Sequence, residues 1–123
     1  MKINKFEDTE AWQVARELTR EIYKATGQKE FNRDYGLREQ LQRASVSIMA
    51  NIAEGFDSQS KRSFIQFLGY ALRSSNEVQS HLYVALDQGY INQMIFEDLY
   101  RQAERTKSII YGFIRYLRQQ YST

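Results

Sequence analysis

Proline is absent from all 123 residues, and no other feature of the chain narrows its fold so sharply. Proline punctuates loops and breaks helices, so its absence suits long unbroken helices joined by short turns. It suits a loop-rich β-sandwich badly. No segment alternates apolar and polar residues for long enough to read as a strand. The chain reads as all-α.

Period and punctuation predict four helices. The first runs over about 9–26, with Asp8 as N-cap, Gly27 past its end, and Trp12, Ala15, Leu18, Ile22 and Tyr23 inward. Residues 27–36 read as a polar loop between two glycines. The second helix covers about 37–54 and stops at Gly55. Asp57, Ser58, Gln59 and Ser60 then lead into a third over about 61–88. Its stripe is Phe64, Phe67, Leu68, Ala71, Ser75, Val78, Leu82, Ala85 and Leu86. Gly89 suits the left-handed position that ends this helix, and Asn92 caps a fourth over about 93–120, with Ile91 stapled onto Phe96. Its inward residues are Ile95, Leu99, Thr106, Ile110, Phe113 and Leu117. Short connections make successive helices antiparallel. The expectation is a single domain over 1–123, an antiparallel up-down-up-down four-helix bundle.

The second helix carries more oil than a bundle needs. Leu37, Leu41, Ala44, Ile48 and Ile52 form one stripe, while Val46, Met49, Ala50 and Ala53 fall on the opposite side. A surface helix of a monomer should show a polar back. Either this helix is central in its own bundle, or its second face packs against another copy, the reading preferred here. Ile65 and Tyr83 widen the third helix's stripe in the same way. The candidate oligomer interface is therefore Val46, Met49, Ala50, Ala53, Ile65 and Tyr83. Asn51 falls close to the core stripe, where a buried amide needs partners. With Gln40, Arg43 and Glu54 on the same flank it is read as a structural polar cluster that fixes register, a functional site being the alternative.

Chemistry is harder to find. There is no cysteine and a single histidine, His81. Thiolate sites, disulfides and Cys nucleophiles are excluded, and a di-iron ligand set of the Glu-x-x-His kind is missing. The six glycines are scattered singly and form no phosphate loop. No catalytic residue, metal or cofactor is assigned, no small-molecule substrate is expected, and the chain is read as not an enzyme. No run approaches the roughly 18 apolar residues of a membrane span, and the first residues have no apolar leader core. A cytoplasmic home is the expectation, with no membrane partner.

The net charge is only +2, modest for a dedicated nucleic-acid binder. Its distribution says more. Residues 58–76 carry Lys61, Arg62 and Arg73 without an acid, and residues from 105 onward carry Arg105, Lys107, Arg115 and Arg118 without one. In an up-down-up-down bundle Lys61, Arg62, Arg115 and Arg118 share one end with Lys2 and Lys5, offset by Glu7, Asp8, Glu10 and Asp57. On the fourth helix Tyr100, Lys107, Tyr111 and Arg118 lie within about 40° of one line. Arginine interleaved with tyrosine on an exposed face can hold phosphates and stack bases. The competing reading gives the tyrosines to a subunit interface and the charges to solubility. The candidate nucleic-acid residues are Lys61, Arg62, Lys107, Tyr111, Arg115 and Arg118.

Four stretches carry a resemblance. They are Phe6-Glu7-Asp8-Thr9-Glu10-Ala11-Trp12, the run from Tyr35 to Ala44, the run from Ser47 to Phe56 containing Asn51-Ile52-Ala53-Glu54-Gly55, and Phe64-Ile65-Gln66-Phe67-Leu68. They closely resemble the four-helix-bundle proteins encoded in 23S rRNA intervening sequences, a bacterial family often labelled ribosomal. The chain is also similar, more distantly, to the accessory bundle protein of diversity-generating retroelements. The resemblance implies a homopentamer around a central channel and a nucleic-acid role, RNA or DNA. It carries over Arg43, Ser47, Asn51, Glu54 and Gly55, with no catalytic role. Met49 stands where the family usually has proline, which should straighten the second helix locally.

Overall fold

A computed structural model describes residues 3–121. A single 3-10 turn, Phe6–Asp8, precedes α1 (Glu10–Thr26). Then follow α2 (Lys29–Arg33), α3 (Tyr35–Phe56), α4 (Lys61–Asp87) and α5 (Gln93–Tyr121). Four helices are long, and no strand occurs among the described residues.

Each long helix begins at a side-chain cap, which satisfies an amide that the first turn would otherwise leave bare. Thr9, one residue past the expected Asp8, accepts from Trp12 N–H at 3.3 Å. Asp34 accepts from Leu37 N–H at 3.1 Å, Ser60 from Ser63 N–H at 3.1 Å, and Asn92 from Ile95 N–H at 2.8 Å. Gly89 takes φ +76°, the left-handed conformation expected of it.

Contacts between helices run in opposite numerical order along every seam. Between α1 and α3, Thr19 Oγ1 donates to Ser45 O at 3.2 Å, while Gln42 Nε2 donates to Thr26 Oγ1 at 3.0 Å. Between α3 and α4, Ser74 Oγ donates to Ser47 Oγ at 2.9 Å, and Gly55 abuts Phe64 and Phe67. Between α4 and α5, Phe64 meets Phe113 at 5.0 Å and Tyr83 meets Tyr100 at 5.8 Å. Residues of α1 and α5 line shared grooves in the same inverted order. Neighbours are therefore antiparallel, and α1, α3, α4 and α5 close into a ring around one core.

Within that ring the stripes expected of α3 and α4 point inward. Leu41, Ile48, Ile52, Leu68, Val78 and Leu82 are fully buried. Several expectations fail. Residues 29–33 are helical because Phe31 anchors them, 1% exposed and stacked on Tyr90 at 5.1 Å. Gly36 and Gly55 lie inside α3, which runs past both predicted ends. Gly55 is there for contact: a Cβ on it would sit 2.8 Å from Phe64 Cδ1 and 2.9 Å from Phe67 Cβ. Tyr23 and Ile95 are outward, at 47% and 41% exposure, and Ala11, Val14, Phe96 and Ala103 occupy the core instead.

Candidate interaction surfaces

On α3, Ser45 is buried and its carbonyl accepts from Thr19 of α1, Ser47 bonds α4 through its hydroxyl, and the side chain between them is exposed. That residue is Val46, 43% exposed, and Ala50 lies beside it, also exposed. Met49 and Ala53 are half-buried, Met49 packing against the core from its edge. Helix α3 leaves Val46 and Ala50 exposed, so it is one wall of the ring and is not enclosed by its own bundle. Ile65 is half-buried at the margin of α4. Tyr83 is 51% exposed at the far end of α4, its ring 4.8 Å from that of Phe96. It stands apart from the α3 residues.

The predicted polar cluster does not assemble. Asn51 is half-buried and turns its amide back on its own helix, donating to Ser47 O at 2.9 Å and Ser47 Oγ at 3.1 Å. Arg43 is exposed and pairs with Glu39 at 2.9 Å. Glu54 is exposed, and Gln40 instead lines a polar cleft between α3 and α4 with Arg43, Ser47, Ser74, Glu77 and His81. The cause is local geometry, because residues one turn apart on one helix satisfy each other before reaching across.

The basic residues divide. Lys61 comes close to the end of α5, sharing a depression with Tyr116, Gln119 and Gln120. Arg62, Arg115 and Arg118 are exposed at that end. Lys5 is exposed at the start of the chain, where Ile3 lines one groove together with Tyr116 of α5; Lys2 lies outside the described residues. Tyr111 is 49% exposed. Lys107 is not part of an outward strip. Its side chain is 19% exposed and donates to Gln79 Oε1 at 3.2 Å, with Glu104 at 3.6 Å. Tyr100 is likewise withdrawn into an aromatic cluster with Tyr83 and Phe96.

Two acid groups depart from ordinary behaviour. The Gln79 amide, donating at 2.9 Å, and the Lys107 charge hold the Glu104 carboxyl below the usual carboxylate range. The Tyr90 phenol donates to Asp34 Oδ2 at 3.0 Å, and that bond, with burial and the charges of Asp34 and Glu30, raises its pKa. Among the described residues no group of three or more His, Cys, Asp and Glu side chains is placed to hold a metal ion, and no helix is long and apolar enough to cross a membrane.

These features define a class: an all-α bundle of four long antiparallel helices. The family model described as 23S rRNA-intervening sequence protein matches residues 7–112, and the chain belongs to that family. A solved structure from the S23 ribosomal protein family of Bacteroides thetaiotaomicron, a protein of unknown function, shares the fold with TM-score 0.77 at 24% identity. The match covers 85% of this chain and 97% of the other. No curated protein matches the chain.

Proposed function

We propose that this protein is a non-catalytic bundle that assembles with copies of itself and presents its basic end to RNA or DNA. The observation carrying this reading is the convergence of Lys61 and Arg62 from the start of α4 with Arg115 and Arg118 from the end of α5. These cations are more than fifty residues apart in sequence, and antiparallel packing puts them together. Assembly multiplies such an end, so a patch too weak in one copy becomes avid in several. The exposed Val46 and Ala50 supply a reason to assemble. The family resemblance adds a five-membered ring around a channel as the expected form, and the family's name makes RNA the first ligand to try.

Binding should fall steeply with salt, because each phosphate contact releases counterions. Arg115→Glu with Arg118→Glu should weaken affinity at every salt concentration and lower the slope of log affinity against log salt by about 1 to 2. Flat, negligible binding by the wild type would sink the nucleic-acid half of the proposal. It would leave the second reading, a protein-interaction adaptor. The withdrawal of Lys107 and Tyr100 from the surface favours that one, since it removes half of the Arg–Tyr strip.

A further inference from the structure

The seam between α3 and α4 is tight at Gly55 and is tied again where Ser74 Oγ meets Ser47 Oγ. Further along, away from Lys61 and Arg62, it opens into a cleft of about 320 Å³. Gln40, Arg43 and Ser47 form one wall, and Ser74, Glu77 and His81 form the other. That volume lies at the small end of the roughly 300–1,000 Å³ usual for small-molecule sites.

The floor of the cleft holds a donor that the fold does not use. Elsewhere helical hydroxyls turn back on their own helix: Thr19, Thr26, Ser75 and Thr106 each donate to the carbonyl four residues earlier. Ser47 and Ser74 do not. Their oxygens share one hydrogen at 2.9 Å, and Ser47 Oγ also accepts from Asn51 Nδ2 at 3.1 Å. Each hydroxyl carries one hydrogen. Whichever way the bond between them runs, one hydrogen of the pair is left without an acceptor among the described residues. Ser74 is only 6% exposed, so the pair sits low between the helices.

The walls are equally uncommitted. Among the described residues Gln40, Glu77 and His81 have no hydrogen-bond or ion-pair partner. Arg43 gives one amino group to Glu39 at 2.9 Å, and a guanidinium has five N–H donors. Arg43 and Glu77 line the cleft from opposite walls, yet no ion pair joins them. A simple anion entering there meets the Glu77 carboxylate, and a simple cation meets the Arg43 guanidinium. A ligand that carries both charges suits both walls. We infer that this cleft is a site for a small zwitterion of the α-amino-acid class, its carboxylate taken by Arg43 and the spare serine hydrogen, its ammonium by Glu77. Gln40 and His81 are left for the side chain it bears. Such binding needs neither assembly nor nucleic acid, and no covalent bond is made or broken.

The single histidine of the chain, His81, supplies the reporter, because its ring signals can be followed by NMR without ambiguity. The whole protein is titrated with glycine, L-serine and L-glutamine, and with acetate and ethylamine as the two charged halves alone. At least one amino acid should shift the His81 signals saturably and bind about tenfold or more tighter than either half, since joined groups bind as one. Arg43→Gln and Glu77→Gln, both at exposed positions, should keep their helical circular dichroism. Each should weaken that amino acid about fivefold or more, as loss of a charged hydrogen-bond partner does. Acetate or ethylamine binding as tightly as the best amino acid would overturn the inference. Wild-type affinity in either variant would overturn it too. So would the absence of any saturable shift with all five probes at about 50 mM, well above a millimolar dissociation constant.

Discussion

The two seams of α4 are built on different plans. Against α3 it packs largely through small residues: Ala44 and Ser47 beside Ser74, with hydroxyls in contact, and Gly55 pressed against the Phe64 and Phe67 side chains, where Phe56 also meets Phe64 at 6.0 Å. Against α5 it packs through rings and a polar bridge. Phe64 lies on Phe113, Tyr83 on Phe96 and Tyr100, and Gln79 stands between Glu104 and Lys107. A small-residue seam has little room to yield, because the backbones themselves set its width. A ring-filled seam can shift rotamers and keep its polar links to the outside. The first should be brittle and the second tunable.

The largest effect should follow from adding volume to the tight seam. Gly55→Val places a branched Cβ where 2.8 Å is already too close to Phe64 Cδ1. Phe64 can rotate, but Phe67 Cβ at 2.9 Å is tied to the backbone and cannot. A loss of about 3 kcal/mol is expected by urea unfolding, at the upper end for overpacking and larger than any helix-propensity gain. A variant as stable as wild type would show that the seam yields after all.

The bridge across the second seam should cost less to break. Gln79 is 6% exposed, and its amide both donates to Glu104 and accepts from Lys107. Gln79→Leu fits the volume but leaves a largely buried ammonium with one fewer acceptor, for an expected loss of about 1–2 kcal/mol. The same variant should let the Glu104 carboxyl return toward its ordinary pKa, which carboxyl NMR can follow. Stability lost without that return would mean that packing, and not the bridge, is what Gln79 supplies.

Periodicity captured the core of this molecule and missed whatever depends on a neighbour in space. Leu37, Leu41, Ala44, Ile48 and Ile52 were legible because burial of one helical face repeats in sequence. Glycine was ambiguous, since a stop such as Gly89 and a contact point such as Gly55 look alike until the facing helix is known. Five residues of α2 are too few to display a period, though Phe31, alone among polar residues, was a signal that something there is buried. The basic end could be read, because charges at chain-distant positions meet once the topology is antiparallel. Lys107 could not, because only the position of Gln79 across the seam draws it in.

The smallest effects should appear as two opposite pH limbs, one at each kind of contact. Glu104 has its folded-state pKa lowered below the ordinary carboxylate value. Its bridge therefore stabilises fully above that value, and the benefit is lost as pH falls through the folded one. Tyr90 behaves in the opposite sense. Its phenol, donating to Asp34, has a folded-state pKa above the ordinary phenol value. The tie between the α4–α5 turn and the start of α3 is thus complete below that value and is lost as pH rises through the folded one. Thermal midpoints measured against pH should show Glu104→Gln with a shallower acid limb and an unchanged alkaline one, and Tyr90→Phe with the reverse. Both sites are solvent-accessible, so each change should be a small inflection on the curve set by the core. If either variant shifts the whole curve without altering its shape, the group contributes packing and not a titrating bond.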